Sequence, residues 1–300
     1  MGFKLTRRTP SPIPLEVDGV LPERVANLSA RELANLPVLH GNRTEPLGEH
    51  FDVTVSTLAD VHFAGDTGNV HGIGKGMTGG TIVVEHSVGR HAGAQMSGGT
   101  LTVGGQGGDW LGAELRGGRI EVGGGAGDGV GAAYRGSRKG MTGGVIRVTG
   151  SVGHEAGLLM RRGRIVVGWN AGQFAGASMI AGTIVVGGSF GRRAGAGMKR
   201  GTLLALGGVE EVSAGFRFSC EYEPAFLTLL WKETGWQVPV PTRVRCFRGD
   251  VLAGGKGELW VGLGGGAAGA GGAPRGGEDR GEVVDAQLHP HPNHARGVNP

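Results

Sequence analysis

The chain has 300 residues, enough for one large domain or two small ones, and 65 of them are glycine, about three times the ordinary share of roughly 7%. Proline is only 13 and no Gly-X-Y period runs through the chain, which excludes collagen; the regular return of Val, Ile, Leu and Met between the glycines excludes wholesale disorder. Thirty basic and 26 acidic residues are interspersed for a net charge of +4, which requires no nucleic-acid partner, and an aromatic content of 5% leaves branched aliphatics, Met and Ala to fill a narrow, regular core.

From the N-terminus, MGFKLTRRTPSP lacks the apolar core of a secretory signal. No apolar stretch further on has the length of a membrane span. Cys220 and Cys246 stand alone without a CxxC, so neither a disulfide framework nor a zinc ribbon is expected, and a reduced, cytoplasmic compartment is. Residues 1–59 read as a capping segment. Pro22-Glu-Arg24 opens one helical turn, Ser29-Ala-Arg-Glu32 is a capping box for a second, and 40–43 and 46–48 are turns. Phe51–Val55 is a strand leading onward.

Residues 60–208 repeat. Segments of the form Gly-x-x-x-Gly start at Gly89, Gly108, Gly127, Gly153, Gly172 and Gly191, which are 19 residues apart except for one gap of 26. Each carries an apolar residue three after its second glycine: Met96, Leu115, Tyr134, Met160, Met179 and Met198. Further glycine follows, then an alternating pair: Leu101 and Val103, Ile120 and Val122, Ile146 and Val148, Ile165 and Val167, Ile184 and Val186, Leu203 and Ala205. An earlier copy has Met77, Ile82 and Val84. A strand this short cannot bury its inner face alone, but stacked on its neighbours it forms a parallel sheet. The expected fold is all-β: a right-handed parallel β-solenoid (β-helix) of ~19-residue coils, with a short helical N-terminal segment and one C-terminal helix. Glycines would take the corners, at positive φ or where backbones touch, and Met would fill the core. Gly72-Ile-Gly-Lys-Gly76 looks like a phosphate loop, but a strand follows it where that loop needs a helix.

The 26-residue gap holds a seven-residue insertion, with Tyr134–Met141 as the matching segment and Arg135, Arg138 and Lys139 within it. Arg116, Arg161 and Lys199 share a repeat column, with Arg162 and Arg200 next along. These eight residues are the candidate contact set. A solvated face would explain them; an acidic protein surface or a polyanionic ligand would use them. Residues 209–262 close the chain. The stretch Glu223–Lys232 is a helix with Pro224 at its start and Phe226, Leu229 and Leu230 on its buried face, and Val244–Phe247 and Gly257–Val261 are final strands. The Gly-rich tail, 263–300, reads as disordered.

Catalytic constellations are not apparent: there is no HExxH and no GxSxG in a strand–turn–helix context. His62, His71, His86, His91 and His154 fall in different repeat columns, and Asp109 and Asp128 share one but sit at corners. His289, His291 and His294 lie in the tail. No catalytic or metal site is assigned.

Several segments nevertheless resemble a known family: His40-Gly-Asn-Arg-Thr-Glu-Pro-Leu-Gly48, Gly72-Ile-Gly-Lys-Gly-Met-Thr-Gly-Gly80, Gly89-Arg-His-Ala-Gly-Ala-Gln-Met96, Asp109-Trp-Leu-Gly-Ala113, Gly136-Ser-Arg-Lys-Gly-Met141 and Arg248-Gly-Asp250. Over about residues 3–262 the chain resembles the C-type subunit of formylmethanofuran dehydrogenase, most of all the corresponding component of the bacterial formyltransferase/hydrolase complex of methylotrophs. The resemblance implies a β-helical scaffold without an active site, working with the A-, B- and D-type subunits in one-carbon metabolism and formaldehyde oxidation. There formyl-tetrahydromethanopterin is converted to formate through a methanofuran-type polyglutamate carrier. It implies zinc in a sister amidohydrolase and no cofactor on this chain. The glycine repeat alone is also similar to the C-terminal domain of glutamate synthase large subunits, which leaves a nitrogen-assimilation protein as the alternative. A stand-alone enzyme on a β-helix would need a groove of clustered carboxylates or a His.

Overall fold

The computed structural model describes residues 2–234 and 241–263, with only the backbone at 233 and 234; the tail expected to be disordered lies outside the described residues except for Leu263, which ends a strand. The body is mostly β. Thirteen strands of the described residues form one sheet, in the order Arg217–Tyr222, Arg243–Gly249, Lys256–Leu263, Arg200–Ala205, Thr183–Val186, Arg164–Val167, Val145–Val148, Arg119–Val122, Thr100–Val103, Thr81–Val84, Val61–Ala64, Gly2–Arg7 and Phe51–Ser56. From Val61 to Leu263 the neighbours Val61–Ala64 through Arg200–Ala205, and then Lys256–Leu263, pair in parallel.

The register follows the repeat. Ile82, Leu101, Ile120, Ile146, Ile165, Ile184, Leu203 and Leu259 stand opposite one another in turn, each with no exposed surface. Full burial of one such side chain contributes about 1.5–3 kcal/mol, so a column of eight is a substantial share of the driving force. Elsewhere in each repeat, bridges join Gly107, Ala126, Val152, Ala171 and Phe190 in turn. On a further side the N–H groups of Gly112, Gly131, Gly157, Gly176 and Gly195 donate to the carbonyls of Ala92, Leu111, Val130, Ala156 and Ala175. Each repeat is thus tied to the next at several points of its course.

Met77, Met96, Leu115, Met141, Met160, Met179 and Met198 line the interior with no exposed surface. Met141 takes the place the repeat pattern assigns to Tyr134. The carbonyl of Met141 accepts from Arg161 N as that of Met160 does from Ile180 N. The inserted residues, 134–140, therefore leave the wall before the core position, and the phenol of Tyr134 is carried outside.

Both ends of the parallel run are closed by antiparallel pairs. Gly2–Arg7 pairs in parallel with Val61–Ala64 and antiparallel with Phe51–Ser56, so the strand at 51–56 is an edge and does not lead directly into the repeat. At the other end Arg243–Gly249 and Arg217–Tyr222 add antiparallel strands. This register sets Cys220 opposite Cys246, although both thiols are free. The capping box at Ser29 and Glu32 forms as read, starting a helix at Ala30–Ala34. Leu15–Glu16, Pro37–His40, Arg43–Pro46 and Val70–His71 make a separate four-stranded sheet. Residues 46–48 are not a simple turn: a 3-10 helix spans Leu47–Glu49.

The C-terminal helix, Leu227–Thr234, covers the outer face of the large sheet. Leu227, Leu230 and Trp231 are buried against Val185, Leu204, Val244, Cys246 and Trp260, while Phe226 and Leu229 are exposed. The buried face is thus rotated from the 226/229/230 stripe read in the sequence. Both stripes satisfy the helical period, and the large indole at Trp231 turns the helix toward the face that buries it. Among the described residues no helix is long and apolar enough to cross a membrane.

Candidate functional site

A depression of about 650 Å³ lies where the repeats turn into the strands at 164–167 and 183–186; it is lined by Thr142, Arg161, Arg162, Ile180, Ala181, Lys199 and Arg200. Four of the eight candidate residues meet there because the backbone repeats them. The N–H of Arg161 donates to Met141 O, that of Ile180 to Met160 O and that of Lys199 to Met179 O, so one corner column carries Arg161, Ile180 and Lys199 on adjacent repeats. Arg162 and Arg200 follow on the same edge. Among the described residues none of these four cations forms an ion pair. Small or neutral residues, Thr142, Ile180 and Ala181, separate them. Like charges gathered without counter-charges raise the local positive potential and favour an anion.

The adjoining depression, about 560 Å³, shares Thr142 and Arg162 and adds Arg164, Thr183, Phe226, Leu229 and Leu230. Arg164 was not among the candidate residues, and Phe226 and Leu229 were read as core-facing, whereas both are exposed here. The helix reaches this place only through the tertiary fold, which no local pattern encodes.

The other four candidates divide. Arg116 lies in the same corner column, one repeat below Thr142, and is exposed. Within the insertion, Arg138 joins the depression through its backbone: Arg161 Nη2 donates to Arg138 O at 3.2 Å. Lys139 is exposed beside it. Arg135 belongs elsewhere, lining a different depression with Asp109, Trp110, Asp128, His154, Glu155, Gln173 and Phe174. The insertion therefore does not present its three cations as one patch. Tyr134 anchors it, with its ring 5.3 Å from that of Trp110 and its hydroxyl 2.9 Å from His91 Nδ1. Burial, then the charges of Glu114 and Asp18, push this phenol up to about 12.

The histidine columns also differ from the sequence reading. His71 and His154 share one column with Asp109 and Asp128, and each caps the next repeat. The N–H of Arg90 donates to His71 Nδ1 at 2.7 Å, that of Asp128 to Asp109 Oδ1 at 3.0 Å, that of His154 to Asp128 Oδ1 at 2.6 Å, and that of Gln173 to His154 Nδ1 at 3.0 Å. A second ladder does the same: Gln106 N to Ser87 Oγ, Gly125 N to Gln106 Oε1, Asn170 N to Ser151 Oγ and Ser189 N to Asn170 Oδ1. Asp109 and Asp128 sit at corners as read, but their carboxylates tie successive repeats together and do not close their own turns.

No family model matches the chain. Among solved structures it is similar to a chain of the formyltransferase/hydrolase complex from Methylorubrum extorquens in complex with methylofuran, with a TM-score of 0.79 and 32% identity over 87% of this chain and 99% of that one. Curated relatives match over shorter stretches. The C-type subunit of the molybdenum-containing formylmethanofuran dehydrogenase 1 of Methanothermobacter thermautotrophicus is 39% identical over 95 residues, which is 31% of this chain and 24% of the relative. Its counterpart in the tungsten-containing formylmethanofuran dehydrogenase 2 of the same organism is 37% identical over 95 residues, 35% of its length. The counterpart in the molybdenum-containing enzyme of Methanosarcina barkeri is 41% identical over 84 residues, 28% of its length. The matched stretches thus span about a quarter to a third of these curated relatives.

Proposed function

The chain belongs to the family of C-type subunits of formylmethanofuran dehydrogenase, and from that premise we propose that it is a non-catalytic scaffold subunit of a formyltransferase/hydrolase complex in tetrahydromethanopterin-linked one-carbon metabolism. Its partners are the three other subunits, and the complex converts formyl-tetrahydromethanopterin to formate through a methanofuran-type carrier. Zinc in the amidohydrolase partner belongs to this reading, and the chain itself supplies no cofactor site to the reaction.

In this reading the body is a right-handed parallel β-solenoid. Residues 1–59 form its N-terminal cap, 60–208 the repeat, 209–262 the closing segment and 263–300 an accessory tail. Support comes from the hydrogen bonds that join equivalent residues of successive repeats on separate sides. The scaffold role is supported by the fate of the polar side chains: the corner Asp, His, Ser, Gln and Asn residues are engaged in capping the next repeat.

The observation that carries the contact proposal is the depression at Arg161, Arg162, Lys199 and Arg200, whose cations form no ion pair among the described residues. Its chemistry fits a polycarboxylate, and the polyglutamate part of a methanofuran-type carrier is such a chain. Arg side chains grip carboxylates with paired N–H donors. Replacing all four by Glu in the native complex is expected to lower retained carrier by at least ~10-fold, at the modest strength of exposed ion pairs summed over four sites, with all four subunits still present. Carrier content is read by mass spectrometry of the purified complex. Equal carrier in variant and parent removes the contact proposal. Formyl transfer or hydrolysis by the isolated chain removes the scaffold proposal.

A further inference from the structure

We propose that His40, Glu45 and His50 form a binding site for a divalent transition metal of zinc type, on the small N-terminal sheet and independent of the scaffold reading. His40 Nδ1 lies 3.1 Å and His50 Nε2 lies 2.8 Å from the same carboxylate oxygen, Glu45 Oε2. The three donor atoms all fall within 4.8 Å of one another, and the two imidazoles meet edge to face at 4.7 Å. Two metal–ligand bonds of ~2.0 Å at a tetrahedral angle separate their donor atoms by about 3.3 Å. The two edges that meet at Glu45 Oε2 therefore need only a few tenths of an ångström of opening to receive an ion, and the two imidazole nitrogens, within 4.8 Å of each other, settle toward the same spacing around it.

The fold holds these residues in place from separate directions. Pro37–His40 and Arg43–Pro46 form a hairpin in which Val38 stands opposite Glu45, so His40, two residues on from Val38, shares a face with that carboxylate. The 3-10 turn at Leu47–Glu49 then folds the chain back, and His50 N donates to Leu47 O. The His50 carbonyl is gripped by Arg8 N at 3.0 Å and Arg7 Nη1 at 3.4 Å. His40 presents its other nitrogen, Nε2, to Ser11 Oγ at 3.2 Å, the kind of outer contact that orients a ligating imidazole.

The donor set defines the metal class. Two imidazoles and one carboxylate suit zinc and its first-row neighbours, whereas calcium and magnesium take oxygen ligands. Three protein donors leave a further position for water or a small anion. The site is reachable: the side chains of His50, His40 and Glu45 are 10%, 18% and 29% exposed. The buried guanidinium of Arg7, which donates to the His50 carbonyl, works against a cation here and weakens the site.

The test uses the full chain with His289, His291 and His294 replaced by Gln, so that the tail contributes no ligand. Titration with Zn²⁺ by calorimetry is expected to show one saturable equivalent at about 10 µM or tighter, and Co²⁺ to give visible d–d bands that Zn²⁺ abolishes. Glu45→Gln, which keeps the shape and a hydrogen-bond acceptor, and His40→Asn are each expected to weaken binding at least ~10-fold, with circular dichroism unchanged. Millimolar Mg²⁺ or Ca²⁺ is expected not to compete. The proposal is overturned by a lack of saturable Zn²⁺ binding below ~0.1 mM, by equal binding in both folded variants, or by displacement with Mg²⁺. If Glu45→Gln unfolds the chain, His40→Asn alone decides, and unchanged binding there overturns the site.

Discussion

Single residues control how closely the repeats approach. Gly118 has φ +81°, and a Cβ there would lie 2.7 Å from Gly99 O and 2.8 Å from Gly98 C, backbone that cannot move aside. Gly118→Ala is expected to cost about 2 kcal/mol or more, from left-handed strain plus the clash, read as a lower denaturant midpoint. Other left-handed corners carry His91, Trp110, Glu155, Phe174 and Arg193. Their side chains face outward, so the chain bears the conformational cost there in exchange for surface groups. His71 adds a pH dependence. Burial and the Arg90 charge hold its pKa below the ordinary 6.5, and its Nδ1 accepts the Arg90 N–H, which only neutral imidazole can do. The unfolded chain protonates first, so this contribution is complete above about pH 6.5 and fades as pH falls toward the lowered folded value. His71→Asn keeps an acceptor without a titrating ring. It is expected to flatten the loss of stability between pH 7.5 and 5.5, measured by urea unfolding.

At the scale of elements, the C-terminal helix tests how packing selects among equivalent stripes. Leu230 is buried and Leu229 exposed. Leu230→Ala is therefore expected to destabilise by about 2–5 kcal/mol, and Leu229→Ser to stay within about 0.5 kcal/mol; chemical unfolding of both variants checks the register. The large sheet shows the same helix from below. Val166, Val185 and Leu204 face outward yet are buried, whereas the corresponding Thr102, Glu121 and Arg147 on earlier strands are only partly covered. Val185 and Leu204 are where the helix lands, whereas Val83, apolar and in the same outward column on an earlier strand, is only partly covered. The insertion behaves as a branch off the wall: Met141 keeps the core position, Tyr134 docks on Trp110 and His91, and Arg135 turns toward a separate acidic depression.

For the whole described body, the recurring problem is the open edge of a parallel sheet, which can recruit another chain. Here Gly2–Arg7 with Phe51–Ser56 ends one side and Arg243–Gly249 with Arg217–Tyr222 ends the other. The outer strands carry charge: Arg8 pairs with Asp52, and Arg245 with Glu221. The basic depression lies on the repeats beside the closing helix, so a partner or carrier seated there meets cations and exposed Phe226 and Leu229 together.

Much of this was legible from the residues. The 19-residue spacing identified each inward pair, such as Ile165 and Val167, because a repeat that stacks on itself turns sequence period directly into register. It also found Arg161 and Lys199 as one column. The capping box at Ser29 was readable because its partners are three residues apart. Where residues meet across long separations, the sequence was silent. The Gly-Met-Thr-Gly-Gly at 140–144, identical to that at 76–80, does mark Met141 in place of Tyr134 as the core residue, but nothing local tells which helix stripe is buried. The strand at Gly2–Arg7 slips between Phe51–Ser56 and Val61–Ala64, and His40, Glu45 and His50 converge from a strand, its hairpin partner and a following turn. The chain by itself determined the repeat and its buried columns, since those depend on neighbours at a constant offset. Only the tertiary structure decided the convergences, since they depend on the path taken between distant segments.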